Sequence, residues 1–171
     1  FNLNQLLFDL FTIFNSETNG KKRQNVELKL KLSLSNSRSN IITDPNRLEQ
    51  IISNLLDNAL KHTSNGCVEF GYSVEENQNL KFFVIDTGQG ISEAMKDNIF
   101  NRFRKGKKNV PYSTSGTGLG LPICKGLVSL LGGNIWFESE EDVGTTFYFT
   151  IPFAPAETDS RIYISRSSLS T

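Results

Sequence analysis

Asn54-Leu55-Leu56-Asp57-Asn58-Ala59-Leu60-Lys61-His62-Thr63 sits inside an apolar-periodic segment that predicts the central helix of this chain. Asp44 is a suitable N-cap, Pro45 has the fixed φ of a first helical residue, and Asn65-Gly66 marks an exit, so the helix is predicted from Pro45 to about Thr63. At about 100° per residue, Leu48, Ile51, Ile52, Leu55, Leu56, Ala59 and Leu60 share one broad face, the pattern of a helix packed on a core. The opposite stripe carries Arg47, Asn54, Asn58 and Lys61, residues that stack along a helix at spacings of three, four and seven. On an isolated helix this would be an ordinary solvated face. A phosphate-facing loop elsewhere in the chain would give it a function.

The flanking sequence builds outward in both directions. Leu3, Leu6, Leu7, Leu10, Phe11 and Phe14 recur at helical spacing, and Asn19-Gly20 closes that first helix. Val26 to Leu34 alternates apolar and polar residues, as a half-buried strand does, and Ile41 to Thr43 is a short extended lead into the central helix. Beyond the helix, Val68, Phe70, Tyr72 and Val74 alternate, and Asn77 to Asn79 turn into the run Leu80 to Ile85. That run is apolar on both faces, as expected for a strand central in a sheet. A short helix is predicted from Ser92 to Phe103, a polar basic loop from Lys105 to Ser115, and a helix through Ile123, Leu127, Leu130 and Leu131 that stops at Gly132-Gly133. Strands at Asn134 to Ser139 and Thr145 to Ile151 complete the pattern. This order predicts an α+β fold, a two-layer α/β sandwich with a mixed sheet of about five strands and about three helices on one face. One domain is expected over residues 1–153. Residues 154–171, serine-rich and without apolar period, are expected to be a linker or disordered tail.

Composition narrows the function classes. With 171 residues, 37% hydrophobic, the chain can bury one substantial core, and its 18 basic residues balance 18 acidic ones. No global field would draw it to nucleic acid or to an anionic membrane. It contains neither a run long enough to span a bilayer nor a signal-peptide start, so this segment is expected to be soluble. Cys67 and Cys124 stand far apart in apolar surroundings and are expected to be reduced, which suits the cytoplasm.

Three stretches carry chemistry. Asp86-Thr87-Gly88-Gln89-Gly90 ends the second hairpin strand with a carboxylate and two glycines. A carboxylate there accepts hydrogen bonds, which suits the exocyclic amine of adenine and repels the carbonyl of guanine, while Gly88 and Gly90 let the backbone approach a base. The same residues would also serve as a plain strand-ending turn. Gly116-Thr117-Gly118-Leu119-Gly120 opens a helix, whose free N–H groups and dipole attract phosphate. Its spacing fits neither a dinucleotide fingerprint nor a Walker loop, and without a ligand it would be a hinge. In the central helix, the Asn58 carbonyl oxygen could ligate Mg²⁺, and Lys61, Arg102, Arg104 or Lys105 could reach phosphates. His62, the single histidine, is expected to pack or cap.

Together these stretches resemble the catalytic and ATP-binding domain of sensor histidine kinases, within the group that includes gyrase, mismatch-repair and heat-shock chaperone ATPases. Arg47 to Thr63 resembles the family's N box, Asp86 to Ile91 its G1 box, Phe100 to Phe103 its F box and Gly116 to Leu121 its G2 box. The resemblance implies the Bergerat sandwich, ATP and Mg²⁺ as cofactors, and an ATP lid over residues 104–115. It implies nucleotide contacts from Asn54, Asn58, Lys61, Asp86, Gly88, Gly90, Ile91, Phe103, Gly116, Thr117, Gly118, Leu119, Gly120 and Thr145. Asn58 would be the metal ligand, and Asn54, Lys61, Arg102 and Lys105 the catalytic set. In hydrolysing relatives a glutamate lies four residues before the metal-binding Asn. Here that residue is Asn54, which cannot act as a base, so transfer to a protein is expected over hydrolysis.

The family often has an aromatic residue and then Arg after the second F-box Phe, whereas this chain has Arg104 and Lys105, which leaves the phosphate-contacting residue open. The phosphoacceptor histidine is expected on a helical dimerisation domain ending near Phe1, with a response regulator receiver domain downstream. The segment itself is expected to be monomeric, without nucleic-acid or direct membrane contact. Two other readings use the same residues: a degenerate module that kept the fold as an interaction platform, and an aspartic-protease half-site at Asp86-Thr87-Gly88. The second leaves the Asn/Lys stripe and Gly116 to Gly120 unused.

Overall fold

The computed structural model describes residues 1–20, 25–101 and 119–157. The elements run α1 (Leu3–Gly20), β1 (Val26–Lys31), α2 (Pro45–His62), β2 (Gly66–Val74), β3 (Asn79–Asp86), α3 (Glu93–Lys96), α4 (Gly120–Leu130), β4 (Ile135–Glu140) and β5 (Gly144–Pro152). One five-stranded sheet has the order β1-β2-β3-β5-β4. β1 and β2 pair in parallel and every other pair is antiparallel. A parallel pair needs a crossover, and α2 supplies it.

The expected α+β sandwich is what forms. Alternate strand residues Val68, Phe70, Tyr72, Leu80, Phe82, Val84, Phe147 and Phe149 are buried in one cluster with the apolar faces of α1, α2 and α4. All seven predicted apolar positions of α2 lie in that core, none more than 3% exposed. Asp44 caps α2 as expected, its Oδ1 accepting from Asn46 N–H at 3.0 Å and Arg47 N–H at 3.2 Å.

β3 is central, but only one of its faces is covered by helices. Its residues alternate between buried and half-buried. On the other face Phe83 lies in one transverse row with Gly71, Tyr148 and Trp136. Trp136 stacks on Tyr148 at 5.5 Å, and the Lys81 ammonium stands 4.6 Å from the Tyr148 ring. The apolar residues on that face therefore cover one another. Gly71 has no room for a side chain, because a Cβ would run into the Lys31 carbonyl and press on the Phe83 ring.

Two boundaries differ from expectation. The β1 ladder ends at Lys31 although the alternation continues to Leu34. The Leu34 N–H is taken instead by the Tyr72 hydroxyl at 3.2 Å, which donates to Asn4 Oδ1 at 2.7 Å, while Asn4 Nδ2 returns to the Leu34 carbonyl at 2.8 Å. Side chains distant in sequence thus satisfy the backbone groups that a longer strand would have paired. The helix predicted from Ser92 is α-helical only over Glu93–Lys96. It continues as i→i+3 turns, with Asn98 N–H on the Met95 carbonyl and Asn101 N–H on the Asn98 carbonyl, and an Asn101–Asn98 side-chain bond competes with helix. Phe100 packs edge-on against Phe137 and Phe147. Phe103 lies outside the described residues.

Asp44→Ala removes the α2 cap and an exposed ion pair with Arg47. The cap dominates, because exposed pairs contribute little. Urea unfolding of the variant should show a loss of about 1 kcal/mol.

Candidate functional site

Three inward-facing polar residues occupy one transverse row at the end of the sheet: Asp86 on β3 is opposite Thr145 on β5, and Thr145 is opposite Ser139 on β4. The neighbouring inward row is apolar, Phe70, Val84, Phe147 and Phe137. Asp86 is only 5% exposed and Thr145 6%. Burial pushes the Asp86 carboxyl above its ordinary pKa, while backbone hydrogen bonds from Gly88 and Thr145 pull it back. The Gly88 N–H fixes Oδ1 at 2.9 Å. A desolvated carboxylate held in place is an acceptor aimed by the fold.

The loop after Asp86 is fastened on three sides. Toward β2, Thr87 N–H donates to the Cys67 carbonyl at 3.1 Å and Cys67 N–H to Thr87 Oγ1 at 3.0 Å. Toward α2, Gln89 N–H donates to the His62 carbonyl at 3.2 Å, and Gln89 Nε2 lies 3.1 Å from His62 Nδ1. A Cβ at Gly88 would strike that same His62 carbonyl, which is why glycine stands there. Toward the β4–β5 hairpin, Asp142 N–H donates to the Gln89 carbonyl at 2.7 Å and Ile91 N–H to Ser139 Oγ at 2.8 Å. Gly90 has φ +68° and rests against the Glu140 backbone, so it needs both the left-handed conformation and the missing side chain.

His62 packs, as expected. It is half-buried, and burial, with the Lys61 charge as the smaller cause, holds its pKa below the ordinary histidine value. Its contact with Gln89 brings the loop to the C-terminus of α2, about 6 Å along the axis from Asn58. Asn54 and Asn58 are half-buried and Lys61 is exposed, on successive turns of the same helix. Arg47 lies at the far end of α2, ion-paired with Asp44 at 3.2 Å. It is apart from the others.

α4 packs on α2 through Cys124, whose thiol faces the Ile51 carbonyl at 3.7 Å. Burial pushes that thiol up to about 12, a side-chain hydrogen bond with Asn54 opposing. Asn54 therefore reaches the first turns of α4. That helix begins at Gly120 after Leu119, whose side chain caps none of its first N–H groups. Cys67 is half-buried and Cys124 buried, and both are free.

The structure thus gathers Asp86, Gly88, Gly90, Ile91 and Thr145 in one unit and hangs it on the end of α2 that carries Asn58 and Lys61. Asn54 lies on α2 near Cys124 of α4, and Leu119 and Gly120 form the start of α4. Arg102, Phe103, Lys105, Gly116, Thr117 and Gly118 lie outside the described residues. Ser139 and Gln89 were missed by sequence reasoning. Ser139 did leave a signal, a polar residue at the next inward position of β4 after Phe137. Gln89 left none, since its partner His62 is distant in sequence. Among the described residues no cluster of His, Cys, Asp and Glu could hold a metal. No described helix is long and apolar enough to cross a membrane. A separate open groove between α1 and β1, lined by Phe8, Phe11, Leu30 and Leu32, contains none of the site residues.

Comparisons with known proteins give the family. A family model for histidine kinase-, DNA gyrase B- and HSP90-like ATPases matches residues 43–155. The signal transduction histidine-protein kinase BarA of Escherichia coli K12 is 40% identical over 116 residues, 66% of this chain and 13% of BarA. The sensor histidine kinase WalK of Bacillus subtilis 168 is 36% identical over 118 residues, 68% of this chain and 19% of WalK. This chain thus spans a small part of these relatives. The nucleotide-free catalytic domain of the histidine kinase ThkA matches with a TM-score of 0.73 at 30% identity, covering 89% of this chain and 93% of that one. Full-length ShkA in complex with AMPPNP matches with a TM-score of 0.76 at 28% identity, covering 91% of this chain and 31% of ShkA. The chain belongs to the family of histidine kinase-, DNA gyrase B- and HSP90-like ATPases, and within it corresponds to the catalytic domain of sensor histidine kinases.

Proposed function

We propose that this chain binds Mg-ATP and presents the γ-phosphate to a histidine on a separate helical dimerisation domain of its parent protein. The observation that carries the reading is the buried Asp86 carboxylate, held by Gly88 and set beside Thr145 at the end of the sheet. Adenine's exocyclic amine is the donor such an acceptor selects, and guanine's carbonyl would meet it with like polarity. Gly88, Gly90 and Ile91 would line the base. Lys61 would supply a point charge to the phosphates. The N–H groups at Leu119 and Gly120 would do the same as a helix terminus, joined by Gly116, Thr117 and Gly118. Phe103, Arg102 and Lys105 would approach from the segment between.

Asn58 would offer Mg²⁺ a hard amide oxygen, and an ion that keeps several waters would take phosphate oxygens as its other ligands. When bound, the ion would offset charge on the phosphates. Asn54, on the preceding turn, is an amide and takes no proton from water at neutral pH. Hydrolysis therefore lacks a base on that side, and an incoming imidazole, itself a nucleophile, needs none. Catalysis is then positioning and charge stabilisation, as is general for phosphoryl transfer. The matching relatives are much longer proteins that would hold the dimerisation domain and pass the phosphoryl group to a response regulator. We assign the catalytic unit to residues 1–153, as a monomer, and residues 154–171 to a linker or tail whose first residues, Ala154 to Ala156, still pair with Asn40 to Ile42. The cytoplasm, where ATP is available, is its proposed location.

Calorimetric titration with ATP and GTP, with and without Mg²⁺, tests the reading. Asp86→Asn should lower ATP affinity tenfold or more (~1.4 kcal/mol or more) and reduce the preference for ATP over GTP. Asn58→Ala should remove the Mg²⁺ dependence. Unchanged ATP binding by Asp86→Asn would sink the adenine assignment. ATP binding without transfer to a supplied dimerisation domain would favour the inert platform.

Asp86 also has a pH signature. Its native carboxyl holds a proton more tightly than the unfolded one, so its contribution to stability is full below the unfolded pKa and falls as pH rises through the native value. Asp86→Asn removes this cost. Thermal unfolding of the variant at pH 7.5 should occur at or above the wild-type temperature, with that advantage shrinking as pH falls toward 4.

A further inference from the structure

We propose that Ser139 is a positioning residue that fixes which way the Thr145 hydroxyl points and so sharpens the choice between 6-amino and 6-oxo purines. The proposal rests on the reading of Asp86 as the base-recognising group. Among the described residues Ser139 Oγ has three hydrogen-bond neighbours: Ile91 N–H at 2.8 Å, the Gly144 carbonyl at 3.0 Å and Thr145 Oγ1 at 2.8 Å. A serine hydroxyl has one proton. The Ile91 N–H can only donate and the Gly144 carbonyl can only accept. All three contacts are satisfied together in one way, with Ser139 donating to Gly144 and accepting from both Ile91 and Thr145.

Thr145 then spends its proton on Ser139 and keeps lone pairs for its other side. Thr145 is the strand partner of Asp86. The row thus presents acceptors from both residues, matched to an exocyclic amine and mismatched to a carbonyl. The same hydroxyl ties Ile91, the end of the base-facing loop, to the hairpin through the only side chain among the contacts described between them. Without Ser139 the Thr145 proton could turn outward and donate to a 6-oxo group, and the Ile91 N–H would lose its partner. Ser139 does not touch the nucleotide in this arrangement and acts through Thr145 and Ile91.

The test is calorimetric titration of the whole chain with ATP and with inosine triphosphate, in wild type, Ser139→Ala, Ser139→Thr, Thr145→Val and the double variant Ser139→Ala/Thr145→Val. Ser139→Ala should weaken ATP about tenfold, the scale of one lost hydrogen bond, and narrow the ATP-to-inosine ratio. Ser139→Thr keeps the hydroxyl and should restore the ratio. The double variant should be no more permissive than Thr145→Val alone, because the two residues act in series. A purely structural role would weaken both nucleotides alike and leave their ratio unchanged, and that result overturns the proposal. If Ser139→Ala does not fold, Ser139→Cys, of similar volume with a weak S–H donor, carries the same comparison. Loss of ATP selectivity in Asp86→Asn but not in Ser139→Ala rejects the Ser139 role alone. Unchanged selectivity in Asp86→Asn rejects the base assignment beneath it.

Discussion

Holding one carboxylate out of water at the end of a sheet is the constraint from which the rest of this site follows. Burial disfavours the charge on Asp86, and the fold answers with backbone donors from Gly88 and the paired strand β5. The Gly88 donor is in place only if the loop after Asp86 turns tightly and stays turned. Hence the loop is fastened to β2 by Thr87, to α2 by Gln89 and to the β4–β5 hairpin by Ile91. Gly88 and Gly90 follow from the same closeness, since neighbouring backbone fills the space a side chain would need. Gly144 at the start of β5 lies equally tight against the Asp86 carbonyl, with φ +148°.

The central helix does two jobs on two faces. Its apolar face anchors the crossover between β1 and β2 and fixes the helix against the sheet. Once that face is buried, the rotation of the helix is set, and the Asn54–Asn58–Lys61 stripe has one direction in which to look. The polar face then meets the carboxylate loop at the His62 end and α4 at Asn54. Packing energy, large and nondirectional, orients a small number of weak polar contacts. A shift of α2 along its axis would disturb that close packing and break the His62–Gln89 contacts with it.

The sheet's second face shows how a two-layer fold manages without a third layer. Phe83, Tyr148 and Trp136 share one row, and Lys81 lies over the last two. The long cation and the rings shield one another, leaving each half-buried. The run of β3, apolar on both faces, predicted a strand central in the sheet. What it has is a helical layer on one side and a row of aromatic neighbours on the other.

Local rules were enough for much of this protein. The period of α2, its Asp44-Pro45 start, the alternation of β2 and β5, and the punctuation at Gly66 and Gly132 are dictated within a few residues, because caps, turns and amphipathic periods are short-range. So the α+β architecture could be read directly, and Asp86, Asn58 and the glycines around them could be singled out as candidates. Strand order, register and mutual contact are long-range and came only with the tertiary structure. Register decided that Asp86, Thr145 and Ser139 share one row, although β3 and β4 are not sequence neighbours. Packing decided that Gln89 meets His62 and that Asn54 reaches α4. Periodicity places a residue on a face of its own element. Which residue of another element it meets depends on how the two elements pack.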